Sequence, residues 1–290
     1  MSTFRLPPDT RMGAVHLRIT DLARSLAFYS GLLGLKNGGR DESAVQLSAG
    51  EGSPLLLLTE LAAAKPRPRH STGLFHMAIR VPDRAELASV IRHLHSAHWP
   101  LHGFANHGVS ESVYLVDPDE NGIEIYADLP REDWRMIQGQ IAMTTDPLDV
   151  PALLKLAPAT WDGLSAATQI GHVHLQVSDL KKARDFYHDL LGFDVTQESY
   201  PGALFFSAGG YHHHVAVNIW GSRGGTPTPV DCAGLQSFRI VIPDAESLSA
   251  LWNRLQEGGV TTESAQHDSL AGIAVYDRDN IRLEILTPAA

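Results

Sequence analysis

Two stretches of the chain share one pattern of apolar and polar positions. Residues 14–35 (AVHLRITDLARSLAFYSGLLGL) and 171–193 (GHVHLQVSDLKKARDFYHDLLGF) align with an offset of 158 residues. Each begins with alternating apolar positions, which are typical of a strand with one buried face. An Asp follows, and then apolar residues at helical spacing end at a glycine. Each stretch therefore predicts a strand, a turn at the Asp and an amphipathic helix.

A second pair of stretches repeats the same elements with an offset of 161 residues. The sequences GLFHMAIRVPDRAEL and GLQSFRIVIPDAESL begin at Gly73 and Gly234 and share a Pro-Asp turn after an apolar strand. The helices that follow continue through Leu94 and Leu255. Repeats of this kind indicate a chain built from copies of one supersecondary unit, here four copies.

Short alternating segments follow each predicted helix and indicate further strands. They include AVQLSAG and SPLLLLTE in unit one, SVYLVDP and GIEIYAD in unit two, ALFFSAGG and HHVAVNIW in unit three, and IAVYDRD and RLEILTP in unit four. Each unit therefore reads β-α-β-β-β over about 50 residues. The predicted fold class is α+β.

The units divide the chain into two halves separated by a Pro-rich connector. We predict an N-terminal pair of units in residues 1–128, the connector in 129–168 and a C-terminal pair in 169–290. Within the connector, REDWRMIQ and DVPALLKLA are predicted to be helical.

Composition narrows the class of protein. The chain has 290 residues, 43% hydrophobic and 19% charged, which is typical of a globular protein. A net charge of −10 argues against nucleic acid or an anionic membrane as a partner. The single cysteine, Cys232, excludes an intramolecular disulfide and a cysteine-based zinc site. The first residues, MSTFRLPPDTR, lack the apolar run of a secretory signal, so we expect a cytoplasmic protein.

The four βαβββ units resemble the vicinal oxygen chelate superfamily, which includes glyoxalases, bleomycin-resistance proteins and extradiol dioxygenases. The resemblance covers nearly the whole chain apart from its first residues and the connector. It implies two cupped-sheet domains, each formed by two units, with a divalent metal commonly bound in the cup. Fold alone does not define the chemistry.

The resemblance also implies where metal ligands would lie. One ligand is expected on the first strand of a unit, seven residues before the Asp of the turn, and a carboxylate on the last strand of an even-numbered unit. The first-strand positions are Ala14, His76, His172 and Ser237, and the last-strand carboxylates are Glu124 and Glu284.

Counting these ligands favours one pairing of units. Units two and three together carry His76, Glu124 and His172, which is a complete set. Each of the other pairings considered lacks at least one ligand: units one and two, units three and four, and units one and four. Two imidazoles and a carboxylate form the facial triad of non-haem Fe(II) oxygenases. Either histidine alone would be read as a buried core residue. Glu284 is expected to be a solvated or salt-bridged remnant of a second site.

Residues 107–124, HGVSESVYLVDPDENGIE, match the extradiol dioxygenase signature at His107, Tyr114 and Glu124. The resemblance implies that His107 transfers protons and that Tyr114 donates to an oxygen developing negative charge. The alternatives are a surface histidine and a packed strand aromatic. Glu120 departs from the signature at the turn, where we expect Asn121-Gly122 to supply the positive-φ residues.

A histidine cluster, GYHHHVAVN, occupies residues 210–218. Extradiol relatives carry a histidine pair on the corresponding strand, one of which lies beside the O₂ site. Alignment by the following alanine selects His213, with His214 as the close alternative. Strand alternation places His212 and His214 on the face opposite His213.

The resemblance therefore predicts an Fe(II)-dependent extradiol dioxygenase, similar to the catechol 2,3-dioxygenase group, acting on a catechol and O₂. Mn(II) is the alternative metal, and a homo-oligomer is left open. One rival is a glyoxalase-type isomerase or lyase, whose metal site commonly uses two glutamates. The other is a metal-free drug-binding protein of the bleomycin-resistance kind.

Overall fold

The computed structural model describes residues 4–41, 44–267 and 269–289, with the side chains of all of these except residues 40 and 41. Four units of strand, helix and three strands follow one another as predicted. Unit one consists of β1 Arg11–Ile19, α1 Leu22–Leu26, β2 Lys36–Asp41, β3 Ala44–Ser48 and β4 Leu56–Glu60. Unit two consists of β5 Ser71–Arg80, α2 Arg84–Ser96, β6 Gly103–Asn106, β7 Ser110–Val116 and β8 Gly122–Asp128.

The connector differs from its prediction. Its first predicted helix is a 3₁₀ turn, Arg131–Asp133, followed by a hairpin of β9 Met136–Ile137 and β10 Gln140–Ile141. Its second is confirmed as α3 Val150–Leu154. The hairpin turn contains Gln138 and Gly139 with φ of 51° and 78°, a left-handed conformation that a continuing helix does not contain.

Units three and four complete the repeat. Unit three consists of β11 Gln169–Gln176, α4 Leu180–Arg184, β12 Asp194–Gln197, β13 Ala203–Ser207 and β14 Val215–Asn218. A two-residue strand, β15 Thr226–Pro227, precedes unit four, which consists of β16 Gly234–Val241, α5 Ala245–Glu257, β17 Glu263–His267, β18 Leu270–Tyr276 and β19 Arg282–Pro288. The shorter helices α1 and α4 each continue into a π-helical turn, Ala27–Leu32 and Asp185–Leu190.

The Asp that ends each first strand caps the following helix. Its side chain accepts a hydrogen bond from the backbone N–H three residues later, at 2.7–2.9 Å, in all four units, at Asp21, Asp83, Asp179 and Asp244. An N-cap of this kind satisfies a helix N–H that otherwise has no partner. The predicted turns are therefore confirmed.

Two curved sheets form the protein, and each takes one unit from each half of the chain. The first has the order β17-β18-β19-β16-β1-β4-β3-β2, from units four and one. The second has the order β12-β13-β14-β11-β5-β8-β7-β6, from units three and two, with β15 also pairing β5. The pairing of units two and three favoured by ligand counting is confirmed. The sheets do not divide at the connector, so the bounds 1–128 and 169–290 mark halves of the chain and not its sheets.

Alternation along the strands separates a core face from a cup face. On β11, Val173 and Leu175 are fully buried in the main apolar cluster, while His172 and His174 point to the other face. The apolar cluster also includes Val15 and Leu17 of β1, so one core serves both sheets. Within the described residues, no helix is long and apolar enough to cross a membrane.

Two equivalent hydrogen bonds tie consecutive units across the sheets. The Tyr29 hydroxyl donates to Asp117 Oδ2 at 2.8 Å, and the Tyr187 hydroxyl donates to Asp277 Oδ2 at 3.0 Å. The other oxygen of each carboxylate accepts two backbone N–H bonds of its own turn. Burial raises the pKa of Asp117, and it raises that of Asp277 to about 7.

Candidate metal centre

Three adjacent strands of the second sheet carry the predicted ligands. β11 runs antiparallel to β5, and β8 runs parallel to β5, so that Ala78 stands opposite both His172 and Glu124. His76 lies two residues before Ala78 and therefore on the same face of β5. Sequence positions about 50 and 100 residues apart meet because these strands are neighbours.

The three side chains converge on one point. His76 Nε2 lies 3.0 Å and His172 Nε2 3.3 Å from Glu124 Oε2, and the three ligand atoms lie within 4.8 Å of one another. Atoms bound to one ion at about 2.1 Å and at right angles lie about 3 Å apart. All three residues are at least 94% buried. The spacing therefore fits a single cation.

The hydrogen bonding of His76, Glu124 and His172, called the trio below, also indicates a metal site. His76 Nε2 and both ring nitrogens of His172 are buried and lack a hydrogen-bond partner, although the carboxylate is close. Buried polar atoms are almost always paired, so unpaired ones call for an explanation. A metal ion bound by the two Nε2 atoms and Glu124 would satisfy both of those Nε2 atoms.

The charges of these groups suit a metal. Burial by itself raises the pKa of Glu124, but its interactions with His172 and His76 outweigh burial and hold that pKa well below its usual range. Burial lowers the pKa of His172 to about 4, against the opposing effect of Glu124. Near neutral pH the site thus presents a carboxylate beside a neutral His172 imidazole, the forms that bind cations.

Ser112 orients the carboxylate of Glu124 through a hydrogen bond that the sequence did not indicate. Its hydroxyl, buried on β7, donates to Glu124 Oε1 at 2.5 Å. This hydrogen bond leaves Oε2 facing the two histidines. Hydrogen bonds to metal-binding carboxylates commonly support metal affinity.

His107 and Tyr114 form a hydrogen-bonded pair beside the trio. His107 Nε2 lies 2.6 Å from the Tyr114 hydroxyl, and Nδ1 lies 2.6 Å from the carbonyl oxygen of Thr144. A carbonyl only accepts, so Nδ1 carries a proton and a neutral ring accepts the phenol proton at Nε2. His107 Nε2 is 4.0 Å from Glu124 Oε1, and burial raises the pKa of Tyr114 well above its usual range.

The turn of the signature differs from its prediction. Glu120 itself adopts the left-handed conformation, with φ of 64°, while Asn121 and Gly122 do not have positive φ. Asp117 Oδ1 accepts hydrogen bonds from the N–H groups of Asp119 and Asn121 and so holds the turn one residue earlier than expected.

The histidine cluster separates into three roles. His213 lines the cavity, with its ring centroid 4.0 Å from that of His172. His214 Nδ1 is 3.0 Å from the Ser207 hydroxyl and does not line the cavity. His212 is fully buried, with Nε2 3.0 Å from Asp128 Oδ1.

With a neutral His212, a chain of hydrogen bonds determines the proton positions of His213. His212 Nδ1 lies 2.8 Å from His213 Nδ1. A carboxylate only accepts, so His212 donates its Nε2 proton to Asp128; a neutral His212 then accepts the Nδ1 proton of His213. A neutral His213 is left with an unprotonated Nε2 for the cavity. Sequence reasoning did not identify Asp128 or His212 as partners.

The trio lies in a cavity of about 490 Å³. His107, Tyr114 and His213 line it together with the trio. Phe75, Phe205 and Trp220 also line it, whereas Trp134 packs against His212 and Trp161 stacks on His93. The wall includes further residues that the sequence did not indicate: His102, His174, Tyr200 and the connector residues Met143, Thr144 and Thr145.

His174 and His16 occupy the same position in the two odd units. His16 Nε2 is 2.8 Å from the Thr59 hydroxyl, and His174 Nε2 is 3.0 Å from Asn218 Nδ2. Both therefore make the hydrogen bond that a structural histidine requires. His174 is in addition a wall residue, with its ring centroid 4.9 Å from that of His76.

The equivalent place in the first sheet is filled by positive charge. Glu284 lies 3.0 Å from Arg239 Nε and 2.8 Å from His267 Nε2, and it also pairs with Arg282. Burial alone raises the pKa of Glu284, but these partners lower it to about 2. The expected salt bridges of Glu284 are confirmed, and Ala14 and Ser237 stand at the two positions that lack an imidazole.

Residues 11–125 and 169–285 match the family described as the Glyoxalase/Bleomycin resistance protein/Dioxygenase superfamily. The chain belongs to this superfamily. A curated relative, catechol-2,3-dioxygenase of Bacillus subtilis (strain 168), is 42% identical over 264 residues, which cover 89% of this chain and 92% of the relative.

Two solved structures show the same fold. One is a Bacillus subtilis subsp. subtilis str. 168 protein for which dioxygenase activity has been suggested, with a TM-score of 0.72, 14% identity and coverage of 99% of this chain and 87% of that one. The other is glyoxalase I from Zea mays, with a TM-score of 0.58, 16% identity and coverage of 96% and 92%. At these identities the likeness concerns the fold alone.

Proposed function

We propose that this protein is an extradiol ring-cleaving dioxygenase that uses O₂ to open a catechol-type aromatic diol at a metal held by His76, Glu124 and His172. The observation that carries the proposal is the buried pair of imidazole Nε2 atoms, unpartnered and within 3.3 Å of one carboxylate oxygen. The catechol-2,3-dioxygenase relative supports the same reaction.

Fe(II) is the proposed metal, with Mn(II) as the alternative. His76, His172 and Glu124 would hold Fe(II), and the bound metal would supply the redox chemistry by which O₂ opens the ring of a diol. The cup provides space next to the trio for the diol, because the cavity extends from the three ligands to the protein surface past Phe75 and Trp220.

The proposed proton chemistry belongs to His213, His107 and Tyr114. His213 Nε2, left unprotonated by the bonds to His212 and Asp128, receives a proton from a diol hydroxyl and returns it to oxygen later in the reaction. Tyr114 and His107 hold one proton in their hydrogen bond beside Glu124, and Tyr114 would redirect that proton to a ring oxygen as negative charge develops there. His213 lies against His172, so the proton acceptor is next to a ligand.

The two rival functions fit the site less well. A glyoxalase-type site commonly uses a second glutamate. Among the described residues, the side-chain clusters that could hold a metal contain histidines and a single glutamate, Glu124. A metal-free binding protein has no need for three buried, converging ligands whose nitrogens lack partners.

The proposed function is tested by loading the purified protein with Fe(II) without oxygen and then adding catechol and air. We expect one equivalent of tightly bound metal, one O₂ consumed per catechol and a yellow ring-opened semialdehyde. A protein that binds iron at the trio but consumes no O₂ with any catechol would contradict the proposal.

A further inference from the structure

The cavity wall carries no fixed positive charge. Among the described residues that line it, none is Lys or Arg, and the charged side chains are the carboxylates of Glu120 and Glu124. Two of the wall histidines are engaged in neutral hydrogen bonds, His107 with Tyr114 and Thr144, and His174 with Asn218. An anionic ring substituent on a bound ligand would therefore meet no lysine or arginine among these residues.

One side of the cavity is a continuous aromatic wall. Phe75 and Trp220 meet edge to face with ring centroids 5.5 Å apart, and Tyr200 lies 6.1 Å from Trp220 and 5.9 Å from Phe205. His174 connects the wall to the metal trio, since its ring lies 5.1 Å from Phe75.

The outer end of this wall is open to solvent. Phe75 is 38% and Trp220 49% exposed, unusually high for large aromatic side chains. Exposed aromatic surface beside a cavity is typical of ligand recognition. The wall thus offers apolar contact from the diol position to the mouth.

The cavity also has more room than an unsubstituted ring requires. Its volume of about 490 Å³ lies in the range of pockets that hold drug-sized ligands, roughly 300–1,000 Å³. The connector residues Met143 and Thr145 bound this space together with the aromatic wall: the Thr145 hydroxyl lies 2.9 Å from that of Tyr200, and Met143 shares an apolar cluster with Phe205.

We infer, on the basis of the proposed function, that the substrates are catechols carrying an uncharged apolar ring substituent, and that carboxylated catechols are discriminated against. The substituent lies along the wall of Phe75, Tyr200 and Trp220. Each methylene buried there contributes about 0.8 kcal/mol, which is roughly a fourfold gain in affinity. A carboxylate on the substituent loses hydration without gaining a cationic side chain, and the wall carboxylate that is not a proposed metal ligand is that of Glu120.

The inference is tested by binding and by turnover on the Fe(II)-loaded protein. Anaerobic calorimetry with catechol, 4-methylcatechol, 4-ethylcatechol and 3,4-dihydroxybenzoate gives dissociation constants that do not depend on ring cleavage. We expect affinity to rise about fourfold per added carbon and to fall at least about 100-fold for the carboxylate. The values of kcat/KM should follow the same order.

Two pairs of variants test the two parts of the inference. Thr145 is exposed and lines the cavity, so Thr145→Arg supplies the missing cation. This variant should improve the affinity for 3,4-dihydroxybenzoate relative to catechol at least tenfold. The uncharged control, Thr145→Gln, should not change that ratio. Trp220→Ala should abolish the preference for 4-ethylcatechol. Trp252→Ala, which removes an equally exposed indole on α5 away from the cavity, should keep it.

The outcomes separate this inference from the proposed function. Equal binding of 3,4-dihydroxybenzoate and 4-methylcatechol by the unmodified protein would overturn the inference, even if both are cleaved. Affinities in the expected order without ring cleavage would support the inference about the wall and overturn the proposed reaction. If Thr145→Gln improved the relative affinity for 3,4-dihydroxybenzoate as much as Thr145→Arg, the absence of a cationic side chain would not explain the discrimination against carboxylated catechols.

Discussion

Ala78 and Arg239 occupy equivalent positions in the two sheets, each directly opposite the last-strand glutamate of its unit. Ala78 stands opposite Glu124, and Arg239 stands opposite Glu284. The methyl group of Ala78 leaves the carboxylate of Glu124 to the two histidines. The guanidinium of Arg239 neutralises Glu284, 3.0 Å away. One sheet therefore keeps a candidate cation site, whereas the arginine side chains of the other sheet occupy the equivalent place.

The first prediction compares the two sheets. Glu124→Gln removes a charged ligand and should abolish tight metal binding and turnover. Glu284→Gln should leave metal content near one equivalent, because the described residues of its sheet form no metal-ligand cluster. It should lower stability by about 2–4 kcal/mol, since Arg239 is left buried without its partner. Metal analysis of both variants measures the metal content, and denaturant unfolding measures the free energy of unfolding. Loss of metal from the Glu284 variant would show that the first sheet binds it.

The second prediction concerns Ser112, which donates to Glu124 Oε1. Ser112→Ala should weaken metal affinity roughly 10- to 100-fold while the three ligands remain, because the carboxylate loses the bond that orients it. Competition with a chelator measures the affinity, and turnover at saturating metal should largely recover. Unchanged affinity would mean that packing alone orients the carboxylate.

The third prediction concerns the His107–Tyr114 pair. Tyr114→Phe keeps the ring and should lower kcat roughly 10²- to 10³-fold, and His107→Ala roughly 10²- to 10⁴-fold, both with near-normal iron. Because the two groups share one hydrogen bond of 2.6 Å, the double variant should lose little more than the worse single variant. Single-turnover rates measure this. Multiplicative losses would show that the residues act separately.

The fourth prediction uses the pH dependence of stability. The pKa of Asp277 is about 7 in the folded protein, above its ordinary value of 3.8, so the folded state binds a proton that the unfolded state releases between these values. The stabilisation is complete below about pH 4 and is lost as pH rises through 7. Asp277→Asn carries a permanently neutral amide and lacks this dependence.

Unfolding by urea at pH 5 and pH 8 checks the prediction for Asp277. The free energy of unfolding of the unmodified protein, relative to that of the variant, should decrease from pH 5 to pH 8 by at most about 1.4 kcal/mol per pH unit. Other groups titrate equally in both proteins and cancel in the difference. A difference that is constant with pH would show that Asp277 is ionised in the folded protein throughout.

Local regularities in the sequence were enough to predict the units, and the family resemblance then implied which positions on them would be ligands. Strand alternation, the capping Asp residues and the glycine stops depend on neighbours a few residues away, so they can be read without a structure. The fourfold repeat then relates His172 to Ala14 and His76 to Ser237. Because only units two and three carry a full ligand set, counting predicted the sheet pairing that the structure shows.

Only the tertiary structure decided what surrounds the trio. Arg239 beside Glu284, Ser112 beside Glu124 and His212 between Asp128 and His213 depend on register between strands and on side-chain direction across the sheet. The connector lies outside the repeat, so no second copy indicated that Thr144 would meet His107. Alternation determines which face a residue takes, whereas its partner is determined by segments far away in sequence that pack against that face.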